Sequence, residues 1–450
     1  MVPHPPALEY ALQSSSWSTR GWTFQERHLS TRCIYFSSDF VYFQCAEGRR
    51  CETGGDLLHW PDITPSPSYT DEKEEHPATP TNPLLSLGSC AAPSRPATMS
   101  TTHIPTEGYK YRRHRFDLYR EIVETYSRRQ LSFATDVLNA FTGVAGVLER
   151  NFETSFVYGL PACFLDHALL WAHECPWDRR LMAEFSSSSS ERLPAKLFPS
   201  WSWAGWAGSV QYLLVTKGEG TYQRQEHEYA KSEISHFQTF HKGVLHEVFK
   251  DAASMAARET RNLGSYNREL ILKTYPLYVA YEERRTLNMS GPDLGPGVLQ
   301  FWADAVDGDA FTVESLDPGY AIVDREHGNV PSKQAVIRLL DRAKVHCGLM
   351  LAFESNNARA WHRLTQGPLE WIAISSFGDA HDRRGGLSTI DVEVRPFDER
   401  KLPYKGEGSG LVNIMLIEWD NAVAGRITIA QVHGLVWEEA LPVRKHIRLA

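Results

Sequence analysis

Nine prolines punctuate the stretch from Pro61 to Thr106, where Tyr69 is the only aromatic residue and Asp71-Glu72-Lys73-Glu74-Glu75 adds a run of charge. A segment of this composition cannot bury enough apolar area to offset its ordering entropy, so residues 59–108 are expected to form a disordered insert. The chain must therefore fold as pieces on either side of it. The piece before it, 1–58, is short. The piece after it accommodates a helical region, 109–190, and a β-rich domain, 191–450, with a polar insertion near 218–262. With 450 residues, 42% of them hydrophobic, there is material for two or three cores. The expected fold class is α+β.

The first piece carries the densest motif, Arg20-Gly21-Trp22-Thr23-Phe24-Gln25-Glu26-Arg27. Trp22 and Phe24 bracket Thr23 as apolar positions of one element. Beyond Ser30 the pattern changes to short apolar runs. Arg32-Cys33-Ile34-Tyr35-Phe36 alternates as a strand, with Ile34 and Phe36 on one face and Cys33 and Tyr35 on the other. Ser37-Ser38-Asp39 supplies turn residues, and Val41 to Cys45 is a second aromatic and β-branched run, so a hairpin is expected. A register centred on Asp39 sets Cys33 opposite Cys45 and Tyr35 opposite Phe43.

This block, with the downstream Val41-Tyr42-Phe43-Gln44-Cys45, resembles the closing part of the fungal heterokaryon-incompatibility (HET) domain. Pro6-Ala7-Leu8 and Ser16-Trp17-Ser18-Thr19 resemble the approach to it. Pro199-Ser200-Trp201-Ser202-Trp203-Ala204-Gly205-Trp206 and Asn413-Ile414-Met415-Leu416-Ile417-Glu418-Trp419 are similar to C-terminal regions of such proteins. The aromatic first strand, Trp-Gly block and Asp-x-x-Cys-Ile-like block of that family do not occur before Arg20. The resemblance thus implies a chain truncated at its N-terminus, with 1–58 as the C-terminal remnant of an α/β HET domain. It implies non-self recognition and regulated cell death through protein partners of the incompatibility system, in a partial or inactive member and without a cofactor.

The net charge of -8 offers no global basic surface, which disfavours nucleic acid as a partner. Seven cysteines include no CxxC pair. Cys33, Cys45 and Cys51 cluster while Cys90, Cys163, Cys175 and Cys347 scatter, so neither a disulfide framework nor a zinc spacing emerges. The N-terminal residues lack the charged and apolar regions of a secretory signal. No run approaches the roughly eighteen apolar residues of a membrane span. A cytoplasmic protein is expected.

Past the insert, Phe116, Tyr119, Ile122, Val123 and Tyr126 recur at helical spacing and predict a helix over 111–129. Lys110, Arg112, Arg113 and Arg115 at its start read as a solvated face ahead of an anionic-partner patch. Asp136 suits the N-cap of a second helix through Val137, Phe141, Val144 and Leu148. Pro161 suits the start of a third, through Phe164, Leu165, Ala168, Leu169 and Ala172. His167 and His173 flank Trp171 there, too few ligands for a metal. The Ser186 to Ser190 run reads as loop.

Alternation places Trp201 and Trp203 on one face of a strand. They read either as a stacking platform for a ligand or as a domain-joining core, and the size of an indole favours core. His236, His241 and His246 step by five residues, about 140° apiece on a helix, and cannot line one face. Short apolar runs then alternate with turns from Leu270 to Leu449 and predict an antiparallel, β-rich domain.

Nucleophile elbows, phosphate loops, dinucleotide glycine patterns and HExxH are absent, and Gly406-Glu407-Gly408-Ser409-Gly410 reads as loop. The remaining catalytic candidate is Glu26, with Arg20, Arg27 and Asp39 near it in sequence. HET domains are distantly similar to Toll/interleukin-receptor (TIR) domains, some of which cleave NAD with one glutamate. The resemblance therefore implies NAD glycohydrolase activity as the alternative to a non-enzymatic role. A carboxylate can steady the charge developing at the sugar carbon. As a structural group, Glu26 would instead pair with Arg20, Arg27 or backbone N–H groups at a helix end, and this reading carries more weight.

Overall fold

A computed structural model describes residues 8–13, 15–45, 48–53, 107–152, 154–173, 178–181, 196–212, 231–241, 244–247, 296–314, 334–353, 368–379, 397–403 and 410–450. Helices and strands both occur, with one large mixed sheet, so the fold is α+β. The expected insert from Pro61 to Thr106, the serine run, the apolar runs at 270–272 and 320–323 and the glycine-rich loop at 406–409 lie outside the described residues. The chain divides into two compact units, Met1–Thr101 with Arg129–Val147, and Thr102–Arg128 with Leu148–Ala450. This division crosses the stretch read from sequence as one helical region.

The first unit holds helices α1 (Leu8–Gln13) and α2 (Trp22–Leu29) and a three-stranded antiparallel sheet. Its strands are β1 (Arg32–Phe36), β2 (Val41–Cys45) and β3 (Gly48–Cys51), in that order. Leu8, Leu12, Phe40, Tyr42 and Cys51 pack together, with Trp17 and Tyr35 against them.

The expected hairpin forms, but one residue out of the expected register. Cys33 faces Gln44, Arg32 faces Cys45 and Tyr35 faces Tyr42. The turn explains the offset. The Ser37 N–H donates to Phe40 O at 3.0 Å and the Phe40 N–H donates back to Ser37 Oγ at 3.0 Å. The reversal is thus centred between Ser38 and Asp39 rather than on Asp39. One step of register exchanges faces. Cys33 and Cys45 therefore lie on opposite sides of the sheet.

Asp136 does not cap a helix. It ends a 3-10 turn, Ala134–Asp136. The next residues close by three-residue steps, Phe141 N–H to Leu138 O and Thr142 N–H to Asn139 O, each at 3.2 Å. These tighter turns delay the helix to Thr142, whose hydroxyl donates to Leu138 O at 2.7 Å.

In the second unit, helix α3 (Glu107–Ser127) buries Phe116, Tyr119, Ile122, Val123 and Tyr126 along one face. Helix α4 (Thr142–Phe152) ends in this unit with Leu148 and Phe152 buried. The third expected helix is cut short. After Pro161 come a 3-10 turn, Ala162–Phe164, and helix α5 (Leu165–Ala168), while Ala172 belongs to a strand. Three two-residue ladders follow the same stretch. They pair β4 (Phe156–Val157) with β5 (Leu160–Pro161), β6 (Ala172–His173) with β9 (Val210–Gln211), and β7 (Asp178–Arg179) with β8 (Trp206–Ala207).

The large sheet comprises β10 (Lys231–Ser232), β11 (Ser235–His241), β12 (Val244–Glu247), β13 (Leu299–Asp307), β14 (Thr312–Glu314), β15 (Gln334–Leu340), β16 (His346–Phe353), β17 (Leu369–Asp379), β18 (Gly410–Asp420), β19 (Val423–His433) and β20 (Val443–Leu449). Its order is β12-β11-β13-β17-β18-β19-β16-β15-β14, with β10 on β17 and β20 on β13 and β19. Every pairing is antiparallel except Ala424 with Leu449, which is parallel. The described parts of the polar stretch, 231–241 and 244–247, supply β10 to β12 to the sheet. His241 and His246 sit on neighbouring strands, opposite Val244 and Thr239.

Strand β18 is buried on both faces from Leu411 to Ile417, which is why its sequence reads as a continuous apolar run rather than an alternation. The polar exception is Asn413. Its amide donates to Ser375 Oγ at 3.0 Å and its carbonyl accepts from Gln431 at 2.9 Å, a ladder across three strands that satisfies buried polar atoms.

Candidate functional site

The Arg20–Arg27 motif builds a knot rather than a cleft. The Gly21 N–H donates to Gln130 O at 2.7 Å and the Gln130 N–H donates to Thr19 O at 2.6 Å, forming a parallel bridge between Arg20 and Gln130. A Cβ at Gly21 would lie 2.3 Å from Leu131 Cδ2, so any side chain there would have to displace Leu131. The Thr23 hydroxyl donates to Trp17 O at 2.6 Å or Arg20 O at 2.8 Å, and accepts from Arg129 Nη1 at 3.0 Å. Arg129 also lies 4.9 Å from the centre of the Phe24 ring. Gln25 Oε1 accepts the Gly143 N–H at 3.3 Å. Thr23, Gln25 and Gly21 thus all bind the Arg129–Gly143 segment, and Phe24 is fully buried.

Because the element is helical, residues two apart point in different directions. Phe24 turns inward, whereas Trp22 is 40% exposed and does not share its face. His28, one turn beyond Phe24, is buried with it. The rings are 4.1 Å apart, and His28 Nδ1 lies 2.8 Å from Phe24 O. A carbonyl can only accept, so Nδ1 carries the proton. Burial, and then the charges of Arg27 and Arg129, lower the His28 pKa to about 4.

Glu26 lies on the outer face of α2, exposed. Its side chain makes no hydrogen bond or ion pair among the described residues, and only its backbone carbonyl is used, by Ser30. The expected pairing with Arg20, Arg27 or backbone N–H groups is absent there, because the carboxylate leaves the helix on the side away from the knot. Arg20 is exposed, and Asp39 takes a hydrogen bond from Ser38 Oγ at 2.9 Å in the hairpin turn. The residues brought together are therefore Gly21, Thr23, Phe24, Gln25 and His28 with Arg129. Glu26, Arg20 and Asp39 are not convergent. The partners from Arg129 onward are more than a hundred positions away, and no local spacing announces them. Replacing Gly21 by alanine is expected to destabilise the first unit by about 1–2 kcal/mol through displacement of Leu131, measurable by denaturant unfolding.

Trp201 and Trp203 of the second unit's tryptophan block do not lie on a strand. Trp201 lies in a turn that leads into the 3-10 helix Trp203–Gly205, with Ser202 Oγ accepting the Ala204 N–H at 3.0 Å. Trp171, Trp201, Trp203 and Trp206 are all buried. Each indole N–H has an acceptor. Trp171 donates to Trp201 O, Trp201 to Gly297 O, Trp203 to Tyr119 Oη and Trp206 to Ser200 O, at 2.8–3.3 Å. Fully satisfied and enclosed, these rings are core, with no open ring face for a stacking ligand.

Cations gather around this core in a way the sequence did not signal. The Arg426 guanidinium lies 3.5 Å over Trp171 and donates to Trp171 O, and its backbone N–H donates to Ser200 Oγ at 2.9 Å. Arg179 lies 4.6 Å over Trp206 and donates to Phe198 O at 2.8 Å. The His173 ring sits between the two indoles, 5.0 Å from Trp171 and 5.1 Å from Trp206. Burial, then Arg426 and Arg179, push the His173 pKa well below 6.5 and keep it neutral. Burial lowers Arg426 to about 9 and Arg179 to about 10. His167 is a separate matter, held by Asp166 Oδ1 at 2.9 Å.

Among the described residues no group of three or more potential ligands could hold a metal ion, and Cys33, Cys45, Cys51, Cys163 and Cys347 are free thiols. No described helix is long and apolar enough to cross a membrane. No protein family, curated protein or solved structure matches the chain.

Proposed function

We propose that this chain is a fungal heterokaryon-incompatibility-type protein, with residues 1–58 as the closing part of that domain. It acts in non-self recognition and regulated cell death by binding protein partners of the incompatibility system in the cytoplasm. The observation that carries the interaction reading is the outer face of the small sheet. Ile34, Phe36 and Phe43 are 60%, 80% and 37% exposed, with Ile34 directly opposite Phe43. Apolar side chains grouped on the open face of a sheet mark a contact surface for another protein. Strand β1 is also an edge of that sheet among the described residues, so its backbone is available to a partner strand.

The alternative, NAD cleavage on a distantly TIR-like fold, draws on one feature, the exposed and unengaged Glu26 carboxylate. Stabilising a developing positive charge calls for a dry, preorganised setting. A lone carboxylate on the outside of a helix lacks one, so the interaction reading carries more weight.

Two measurements separate them. Inducible expression of the chain in a fungal host should arrest growth, and the double substitution Ile34→Asp with Phe36→Asp should relieve the arrest while circular dichroism stays unchanged. Unrelieved arrest removes this face from the function. Purified protein incubated with NAD should release no nicotinamide. Release that disappears in Glu26→Ala would replace the interaction reading with the enzymatic one.

A further inference from the structure

We infer that the second unit holds an oxyanion of the phosphate class at a centre formed by Arg426 and Arg179, beside the Trp171, His173 and Trp206 rings. Arg426 is buried, yet its Nε and Nη1 have no hydrogen-bond partner, and Arg179 Nη1 is likewise buried and unbonded. Among the described residues neither guanidinium pairs with a carboxylate. A buried cation and a half-buried one, each with buried donors left over, make an incomplete arrangement, because buried charges are ordinarily paired.

The aromatic rings compensate only in part. A guanidinium over an indole face gains cation–π attraction, as Arg426 does over Trp171 and Arg179 over Trp206. That contact engages the flat face and leaves the N–H groups at the rim, which are the groups that grip a planar or tetrahedral oxyanion. Arg426 sits on one indole and Arg179 on its neighbour, and both charges act on the same histidine. The Trp171 and Trp206 rings are 6.4 Å apart, and His173 lies between them within reach of both charges.

The side chains are held in position. Gly205 leaves room for Arg179, since a Cβ there would lie 2.6 Å from its Nη1 and 2.4 Å from Pro199 O. The Ser200 hydroxyl fixes the Arg426 backbone. Arg179 and its neighbour Arg180 are only partly buried, whereas Arg426 is buried. Arg180 Nε donates to Trp206 O at 2.9 Å, adding a third positive charge beside Trp206.

The test uses the full chain and inorganic phosphate or sulfate as probes against chloride, at fixed pH and matched ionic strength. Thermal unfolding should shift upward saturably, by about 5 °C or more at a hundredfold excess over half-saturation. The partly buried Arg179→Gln variant should lose most of that shift, and Arg426→Lys should weaken it if it folds. Arg342→Gln, on an exposed turn, should retain it in full. A wild-type response that is absent, or that climbs without saturating and equally in Arg179→Gln, overturns the inference. A carboxylate of the chain itself as counter-ion would give the first of these results. Retention of the shift by the phosphate monoester of a small alcohol would assign the site to a phosphorylated ligand, and its restriction to free phosphate would assign it to the inorganic ion. Either result supports the centre.

Discussion

Replacing Trp201 by alanine should destabilise the second unit by about 4 kcal/mol, the upper part of the range for a large aromatic removed from a core. Trp201 is fully buried. Its Nε1–H donates to Gly297 O at 2.9 Å, and the Tyr158 ring meets it edge-on at 5.4 Å. Its own carbonyl receives the Trp171 indole N–H at 3.0 Å. Truncation leaves a cavity the size of an indole and deprives the Gly297 carbonyl of its donor, so a transfer loss and an unsatisfied acceptor fall in one place. The comparison that gives this number meaning is Trp22→Ala. Trp22 is 40% exposed, and its removal should cost the first unit less than about 1 kcal/mol. Chemical denaturation of each variant, followed by hydrogen exchange to assign the loss to a unit, checks both. A Trp201→Ala loss no greater than that of Trp22→Ala would contradict the enclosed core.

Those two tryptophans also show what the sequence could and could not disclose. Both sit in aromatic motifs, and composition marks both as important. For Trp201 the size argument pointed to core, and the ring is enclosed. Trp22 and Phe24 were read as apolar positions of one element, and they do share a helix, but its turn sends the two rings in different directions. Strands β13 and β15 to β19 were legible because each contains a short apolar run, whereas β14, Thr312–Glu314, has no such run and was not. Their order was not, since β13 meets β17 and β20 and none of that is local. The hairpin was legible and its register was not, because the hydrogen bonds of Ser37 and Phe40, rather than the position of Asp39, set the centre of the turn. The delayed start of α4 had the same origin, a local bonding pattern that competes with an attractive N-cap. The cationic centre was invisible. Arg179 and Arg426 are 247 positions apart, and each looks like an ordinary arginine in its own neighbourhood.

Acid should unlock the motif knot through His28. This histidine has a folded pKa lowered from 6.5 to about 4, chiefly because burial disfavours its charged form and secondarily because Arg27 and Arg129 repel a proton. A group whose folded pKa is depressed binds more protons unfolded than folded over the interval between the two values. Stability therefore falls as pH falls through that interval. The contribution is fully present above about pH 6.5, declines between about 6.5 and 4, and is flat below. At 1.36 kcal/mol per pH unit the loss is about 3 kcal/mol. Protonation also adds a cation beside Arg129, the residue that ties Thr23 and Arg20 O to the later segment, so the bonds at risk are those that join α2 to Arg129–Leu131. His28→Gln is the informative variant. Its amide can still donate to Phe24 O but cannot titrate. Relative to wild type, its stability should be lower or equal at pH 7.5 and should overtake below about pH 5. Hydrogen exchange of the α2 amides, measured across pH 4 to 7.5 in both proteins and corrected for intrinsic exchange, isolates this group from the buried His173 and His433 of the other unit. Parallel curves for the two proteins would mean that His28 is not held neutral by its surroundings, and the enclosed Phe24–His28 pair would have to be abandoned as the centre of the knot.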